Sequence, residues 1–206
     1  IKRTHGTSPS QVSPLTKERL IKMIETCEDS RKGIRDRALL LIGFASALRR
    51  SELLALNCKN VEFVPEGLIL TIERSKTDQE GEGRRLGIPF AKGEHCPVKS
   101  LQTYIDYEQL MYGPLFRSLS VDGDGKSGLT GNGIAHIIKQ RAKAADFDPT
   151  MFSGHSLRAG FATSAAQAGA ETWAIMKQTG HRSETTVRKY IREGELFKMT
   201  AASNLL

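Results

Sequence analysis

The hydrophobic period of this chain changes twice, and that limits its possible folds more than any other feature. From Leu15 to Leu56, apolar residues recur at the three- and four-residue spacing of amphipathic helices. Leu15 and Leu20 flank Thr16 as a hydrophobic staple flanks an N-cap, and Ile21 and Ile24 continue the face. Ala38, Leu41, Ile42 and Ala45 predict a second helix over Ile34 to Ala47, and Ser51 is expected to cap a short third one, Glu52 to Leu56. The period then drops toward two. Three short strands are predicted, Val61 to Val64, Leu68 to Ile72 and Leu86 to Pro89, with Arg74 to Gly83 as a charged, mobile hairpin loop. Helical spacing returns at Val98, Leu101 and Ile105. Thr130 is placed to cap a helix that turns Ile134, Ile138 and Ala142 inward and His136, Lys139, Gln140 and Lys143 outward. Further helices are expected over residues 155 to 168, stopped by Gly169, over Glu171 to Gln178, and from Ser183 to about Leu196. The fold class is therefore α+β, mostly α, with a small three-stranded antiparallel sheet.

Residues 1–14 are polar and poor in apolar side chains, so they read as a linker, leaving 15–206 as one domain. The chain opens at Ile1, as a piece of a longer protein would. With 39% hydrophobic residues, 206 residues suffice for a core. Thirty Lys and Arg against 23 Asp and Glu give a net charge of +7, the balance expected of a nucleic-acid-binding domain. Cys27, Cys58 and Cys96 are odd in number and widely spaced, which argues against a disulfide framework or a thiolate zinc site and for a reducing, intracellular setting. No apolar run approaches the length of a membrane span.

Two motifs fail on inspection. Asp122-Gly123-Asp124-Gly125 resembles the start of a calcium loop, but the fifth and twelfth positions are Lys126 and Gly133. Gly125-Lys126-Ser127 lacks the earlier glycine of a phosphate loop, because that position is Ser120. The scattered carboxylates suggest no two-metal centre, so neither a metal nor another cofactor is expected.

Four segments carry residue types suited to phosphate chemistry. In Ala47-Leu48-Arg49-Arg50-Ser51-Glu52-Leu53, Arg49 precedes a helix N-terminus, although two solvated arginines at a turn would read the same way. Lys76 lies on the hairpin loop, where most lysines are simply solvated. His155-Ser156-Leu157-Arg158 puts a proton-handling group and a permanent cation on one helical face, or else a capping His beside a surface Arg. Gly180-His181 ends one helix, and Tyr190 follows nine residues later beside Arg188, Lys189 and Arg192, where a buried core tyrosine is the bland alternative.

In this order the segments resemble the tyrosine recombinase, or phage integrase, family over roughly residues 15 to 200. The resemblance implies the DNA breaking-rejoining enzyme fold and a catalytic set of Arg49, Lys76, His155, Arg158, His181 and Tyr190. It implies that Tyr190 attacks a DNA phosphorus to give a 3′-phosphotyrosyl bond. Arg49, Arg158 and His181 would hold the phosphoryl oxygens, His155 would manage the tyrosine proton, and Lys76 would protonate the departing 5′-oxygen. Glu52 is expected to fix Arg49 or His181. The family usually carries an N-terminal DNA-clamping helical domain, which residues 1–14 would join to this one. A double-stranded DNA partner, a tetramer on paired sites and a bacterial or phage cytoplasmic setting are further implications. A type IB topoisomerase and a non-catalytic DNA-binding accessory protein are the alternatives.

Overall fold

A computed structural model describes residues 13–73, 83–119 and 127–195, with side chains to Tyr190. Eight α-helices and three strands lie among the described residues. Helices α1 (Lys17–Glu25), α2 (Arg31–Ser46) and α3 (Arg50–Ala55) precede the sheet. Strands β1 (Val61–Val64), β2 (Gly67–Ile72) and β3 (Arg84–Pro89) form an antiparallel sheet in sequence order, with Leu70 opposite both Val61 and Leu86. Helices α4 (Pro97–Glu108), α5 (Gly131–Ala144), α6 (Ser156–Gln167), α7 (Thr172–Thr179) and α8 (Glu184–Glu195) follow. No described helix is long and apolar enough to cross a membrane.

Local chemistry shifts several boundaries from their sequence-based positions. Helix α2 begins three residues early because Ser30 accepts a hydrogen bond from the Gly33 amide and so nucleates the first turn. Thr16 occupies the N-cap of α1 but makes no side-chain cap, whereas Thr130 does cap α5 through the Gly133 amide. Ser51 is not the cap of α3. Arg49 holds that position, and the Glu52 carboxylate reaches back to the Arg49 amide at 2.9 Å. Gly194, a residue type that often forms a hinge, lies inside α8. Lys76, most of the hairpin loop, the two tempting Asp and Lys turns at 120–126, nearly all of the N-terminal linker and the tail from 196 lie outside the described residues.

Two cores result. The main one gathers Leu20, Ile24, Leu39, Ile42, Leu70, Ile88, Leu101, Ile138 and Leu157 from helices and sheet alike. A satellite core holds Ala162, Ala166, Ile175 and Val187, with Tyr190 packed against it. Helix α6 bridges the two, because it packs on α2 on one side and on α8 on the other. The helix carrying Tyr190 is thus seated on a few small side chains at the edge of a rigid body.

A buried ionic cluster fastens the main body. Asp36, fully buried, accepts from Arg35 Nε and Nη2 at 3.0 and 2.7 Å and from Arg141 Nε and Nη2 at 3.0 and 2.7 Å. Arg141 also donates to the Thr26 carbonyl at 2.8 Å, tying α5 to α2 and to the end of α1. The outward face of α5 exposes His136, Lys139 and Lys143, as its spacing predicts, but Arg141 turns inward.

Candidate active site

The site forms where α2, α3, β3, α6, α7 and α8 converge. Its floor starts with Ala47, which ends α2 in the left-handed region at φ 49°. A non-glycine residue pays about 1 kcal/mol or more for that conformation. The turn aims the Ala47 carbonyl at Arg158 Nη1, 2.8 Å away. Arg158 is 2% exposed. It donates again to the Thr179 carbonyl, and its Nη2 lies 3.0 Å from His181 Nε2. Burial first, and then the positive charges of Arg49 and Arg84, lower its pKa to about 10, so it stays charged at neutral pH.

His181 is positioned by a turn that needs glycine. Gly180 ends α7 at φ 67°, and a Cβ there would also meet Arg84 Nη1 at 2.6 Å. Thr179 lies just before it. The Thr179 hydroxyl donates to the Ile175 carbonyl at 2.7 Å, so its oxygen is left to accept from His181 Nδ1 at 2.7 Å. Arg158 can only donate, so His181 Nε2 must be the unprotonated nitrogen. Burial, followed by repulsion from Arg158, Arg49, His155 and Arg84, lowers the His181 pKa to about 4, in keeping with this neutral tautomer.

His155 is the N-cap of α6, and its Nε2 lies 3.1 Å from the Tyr190 hydroxyl. Partial burial, then Arg158 and Arg49, hold its pKa below the ordinary histidine value. At neutral pH it is therefore uncharged, and a ring nitrogen with a lone pair can take the phenolic proton at that distance. A cation from another helix acts on Tyr190. Arg188 is paired with Glu184 and Lys189 is exposed, whereas Arg158, from α6, is electrostatically coupled to the tyrosine.

Arg49, with 24% of its side chain exposed, donates Nη1 to Glu52 Oε1 at 2.6 Å. Glu52 also faces Arg84, whose buried Nη2 lies 3.6 Å from Glu52 Oε2, beyond hydrogen-bond length. Of the two partners expected for Glu52, it holds Arg49 rather than His181, and it adds Arg84. One carboxylate is set against three guanidinium groups, Arg49, Arg84 and Arg158. Such an excess of fixed cations suits a dianionic phosphoryl group.

The fold thus brings together Arg49, Glu52, His155, Arg158, His181 and Tyr190 from three separate stretches of sequence. It adds three residues that the motifs do not mark. Arg84 sits at the start of β3 and donates to the Gln178 carbonyl at 3.2 Å. Gln178 in turn donates to the Ala45 carbonyl at 2.7 Å and fixes α7 on α2. Thr179 sets the His181 tautomer, and its place directly before Gly180-His181 was the available signal. Among the described residues no cluster of His, Cys, Asp and Glu is arranged to hold a metal ion.

The comparisons with known proteins identify the family and the fold that carry this constellation. The model of the phage integrase family matches residues 14–195, and the chain belongs to that family. The chain is 38% identical over 208 aligned residues to an integrase/recombinase XerD homolog of Selenomonas ruminantium, and 27% identical over 177 residues to tyrosine recombinase XerC of Staphylococcus aureus. Those alignments take in 100% and 84% of this chain but only 61% and 53% of the relatives, so the chain spans little more than half their length. Among solved structures, XerH recombinase in a post-cleavage complex with palindromic difH substrate matches with a TM-score of 0.74 at 21% identity, over 98% of this chain and 55% of that one. A lambda integrase dimer bound to a COC′ core site matches at 0.65 and 18% identity, over 91% of this chain and 50% of that one. At these identities the structural likeness establishes a shared fold.

Proposed function

We propose that this chain is the catalytic part of a site-specific DNA recombinase that cuts and rejoins strands through Tyr190. The observation that carries the reading is the 3.1 Å contact between His155 Nε2 and the Tyr190 hydroxyl, beside the Arg158–His181 pair. The Tyr190 oxygen attacks the phosphorus as its proton passes to His155. The bond from phosphorus to the 5′-oxygen breaks, and Lys76, a residue outside the described segments, supplies the proton to that oxygen. Arg49 and Arg158 stabilise the charge that builds on the non-bridging oxygens. His181 joins them as a donor only after Nε2 takes up a proton and releases Arg158, which the charge building on the phosphoryl oxygens favours. The phosphotyrosyl bond conserves the energy of the diester, so the 5′-hydroxyl can reverse the step without ATP.

The family relationship supports DNA as substrate, and XerH and lambda integrase are both described in complexes with their DNA sites. Relatives of bacterial origin support a bacterial or phage cytoplasmic setting. A type IB topoisomerase would use the same chemistry, but the family match favours recombination. An accessory protein has no use for a base held against a buried-edge tyrosine. The test is capture on a library of nicked suicide duplexes with a randomised centre, in excess chelator, read as a covalent complex on a denaturing gel. Recovery of adducts with one enriched sequence supports the reading, and failure to form any adduct contradicts it.

Assembly as a tetramer on paired sites belongs to the same proposal. The tail from 196 carries Leu196, Phe197, Met199, Leu205 and Leu206. An apolar groove of about 450 Å³, lined by Leu20, Ile21, Ile24, Phe44, Ile88 and Phe161, offers such side chains a berth on a neighbouring copy. Deleting residues 196–206 should impair recombination of paired sites far more than binding of a single half-site. Equal recombination by truncated and intact protein rules out docking in trans while leaving the chemistry intact.

A further inference from the structure

Arg50 follows Arg49 in the chain but serves a different space. It lines a polar cleft of about 350 Å³ with Ser51, Ser153, Gly154 and His155. Its side chain runs through a notch between two glycines. A Cβ on Gly154 would come within 2.7 Å of Arg50 Cδ, and one on Gly131 within 3.3 Å of Arg50 Nε and Cζ. A side chain on Gly154 would therefore push the arginine aside, and one on Gly131 would press on it by a few tenths of an ångström. Ordering an arginine costs rotamer entropy, and an ion pair or hydrogen bond normally offsets it. Among the described residues Arg50 makes neither.

The surroundings do not attract a cation either. The guanidinium rests against Gly131, the first residue of the 14-residue helix α5, where the helix dipole is positive. His155, at the start of α6, shares the cleft, and Arg49 is the preceding residue. Arg50 is exposed, so water solvates it here, and it stands in a polar cleft walled by hydroxyls with no protein anion beside it among the described residues. A guanidinium so presented is open to an anionic ligand. His155 also links this cleft to the reaction, because the same side chain lies 3.1 Å from the Tyr190 hydroxyl.

We propose that Arg50 is a second phosphate clamp, which binds a DNA backbone phosphate next to the one that Tyr190 attacks, with Ser51 and Ser153 as neighbouring donors. The inference rests on the recombinase reading and deepens it. The ligand is a phosphodiester monoanion, which a guanidinium grips in bidentate fashion. The contact reads no base, so it contributes affinity and register rather than sequence choice.

The probe is the duplex recovered by covalent capture, resynthesised with a neutral methylphosphonate at one backbone position at a time. Binding is measured in the Tyr190→Phe background, so that chemistry does not enter. The otherwise intact protein should lose affinity at the scissile phosphate and at one flanking phosphate. Arg50→Ala should weaken binding to the unmodified duplex, flatten the log–log salt dependence by about one unit, and show no further loss at that flanking position. Arg50→Lys should recover part of the affinity, and Gly154→Ala, which displaces the arginine stem, should mimic Arg50→Ala with the arginine still present. Thermal melts of each variant confirm that it is folded. An unchanged methylphosphonate profile in Arg50→Ala overturns the clamp while the recombinase reading stands. Absence of any adduct with Tyr190 present overturns the recombinase reading and the clamp with it.

Discussion

Two buried polar clusters in this molecule use the same side chains toward opposite ends. Around Asp36, one carboxylate with no solvent exposure is saturated by four hydrogen bonds from Arg35 and Arg141, and Arg141 spends a further donor on the Thr26 carbonyl. Around Glu52, one carboxylate is shared among Arg49, Arg84 and Arg158, and the second contact to Arg84 stretches to 3.6 Å. The first cluster is closed and fastens helices. The second leaves positive charge unmatched where three chain segments meet, and low-dielectric surroundings make that excess costly until an anion arrives. The burial that lowers the pKa of Arg158 and Arg84 is the same cost seen from the cations' side.

Removing the closed cluster's anion should have the largest effect on folding. Asp36→Ala leaves two largely buried arginines without their counter-charge, so a loss of about 3–5 kcal/mol is expected, read as a lower midpoint in urea unfolding. Sulfate or phosphate should restore little of it, because the site is sealed. Glu52→Gln should destabilise less, since Arg49 is a quarter exposed, and millimolar phosphate should restore much of the loss. Equal response of the two variants to phosphate would erase the distinction between closed and open clusters.

How much of this was legible in the sequence follows from how each contact is made. The sheet, the α5 face and the segments that bring Arg49, His155, Arg158, His181 and Tyr190 together could be read because period and local motifs are properties of neighbouring residues. The boundaries of α2 and α3 could not, because Ser30 and the back-reaching Glu52 compete with the apolar pattern for the first turn. The roles of Asp36, Arg141 and Arg84 were hidden because their partners are far away in sequence, as when α5 reaches α2 across 105 positions. Spacing offered Tyr190 only the cations of its own helix, whereas packing of α8 on α6 also brings Arg158 to it.

A smaller effect, on pH dependence, sharpens the comparison further. His181 titrates near 4 in the folded chain and near 6.5 when unfolded. Above 6.5 both states hold it neutral. Between 6.5 and 4 the unfolded chain gains a proton that the folded chain refuses, so His181 makes stability fall as pH falls through that window. His181→Gln should flatten this part of the stability profile. Adduct formation, which needs neutral His155, should decline as pH falls at a lower pH than an ordinary histidine would give, because burial and the charge of Arg158 also depress the His155 pKa.

The central claim is that His155 and Tyr190 form the reacting pair, and trapping the covalent complex and mapping its peptide tests it most directly. The account predicts that the DNA is attached to the peptide containing Tyr190 through a 3′-phosphate. Tyr190→Phe should form no adduct yet bind DNA and melt within about 1 kcal/mol of the parent, since only a hydroxyl is removed. An adduct in the Phe variant, or one mapped to a different residue, would contradict the account.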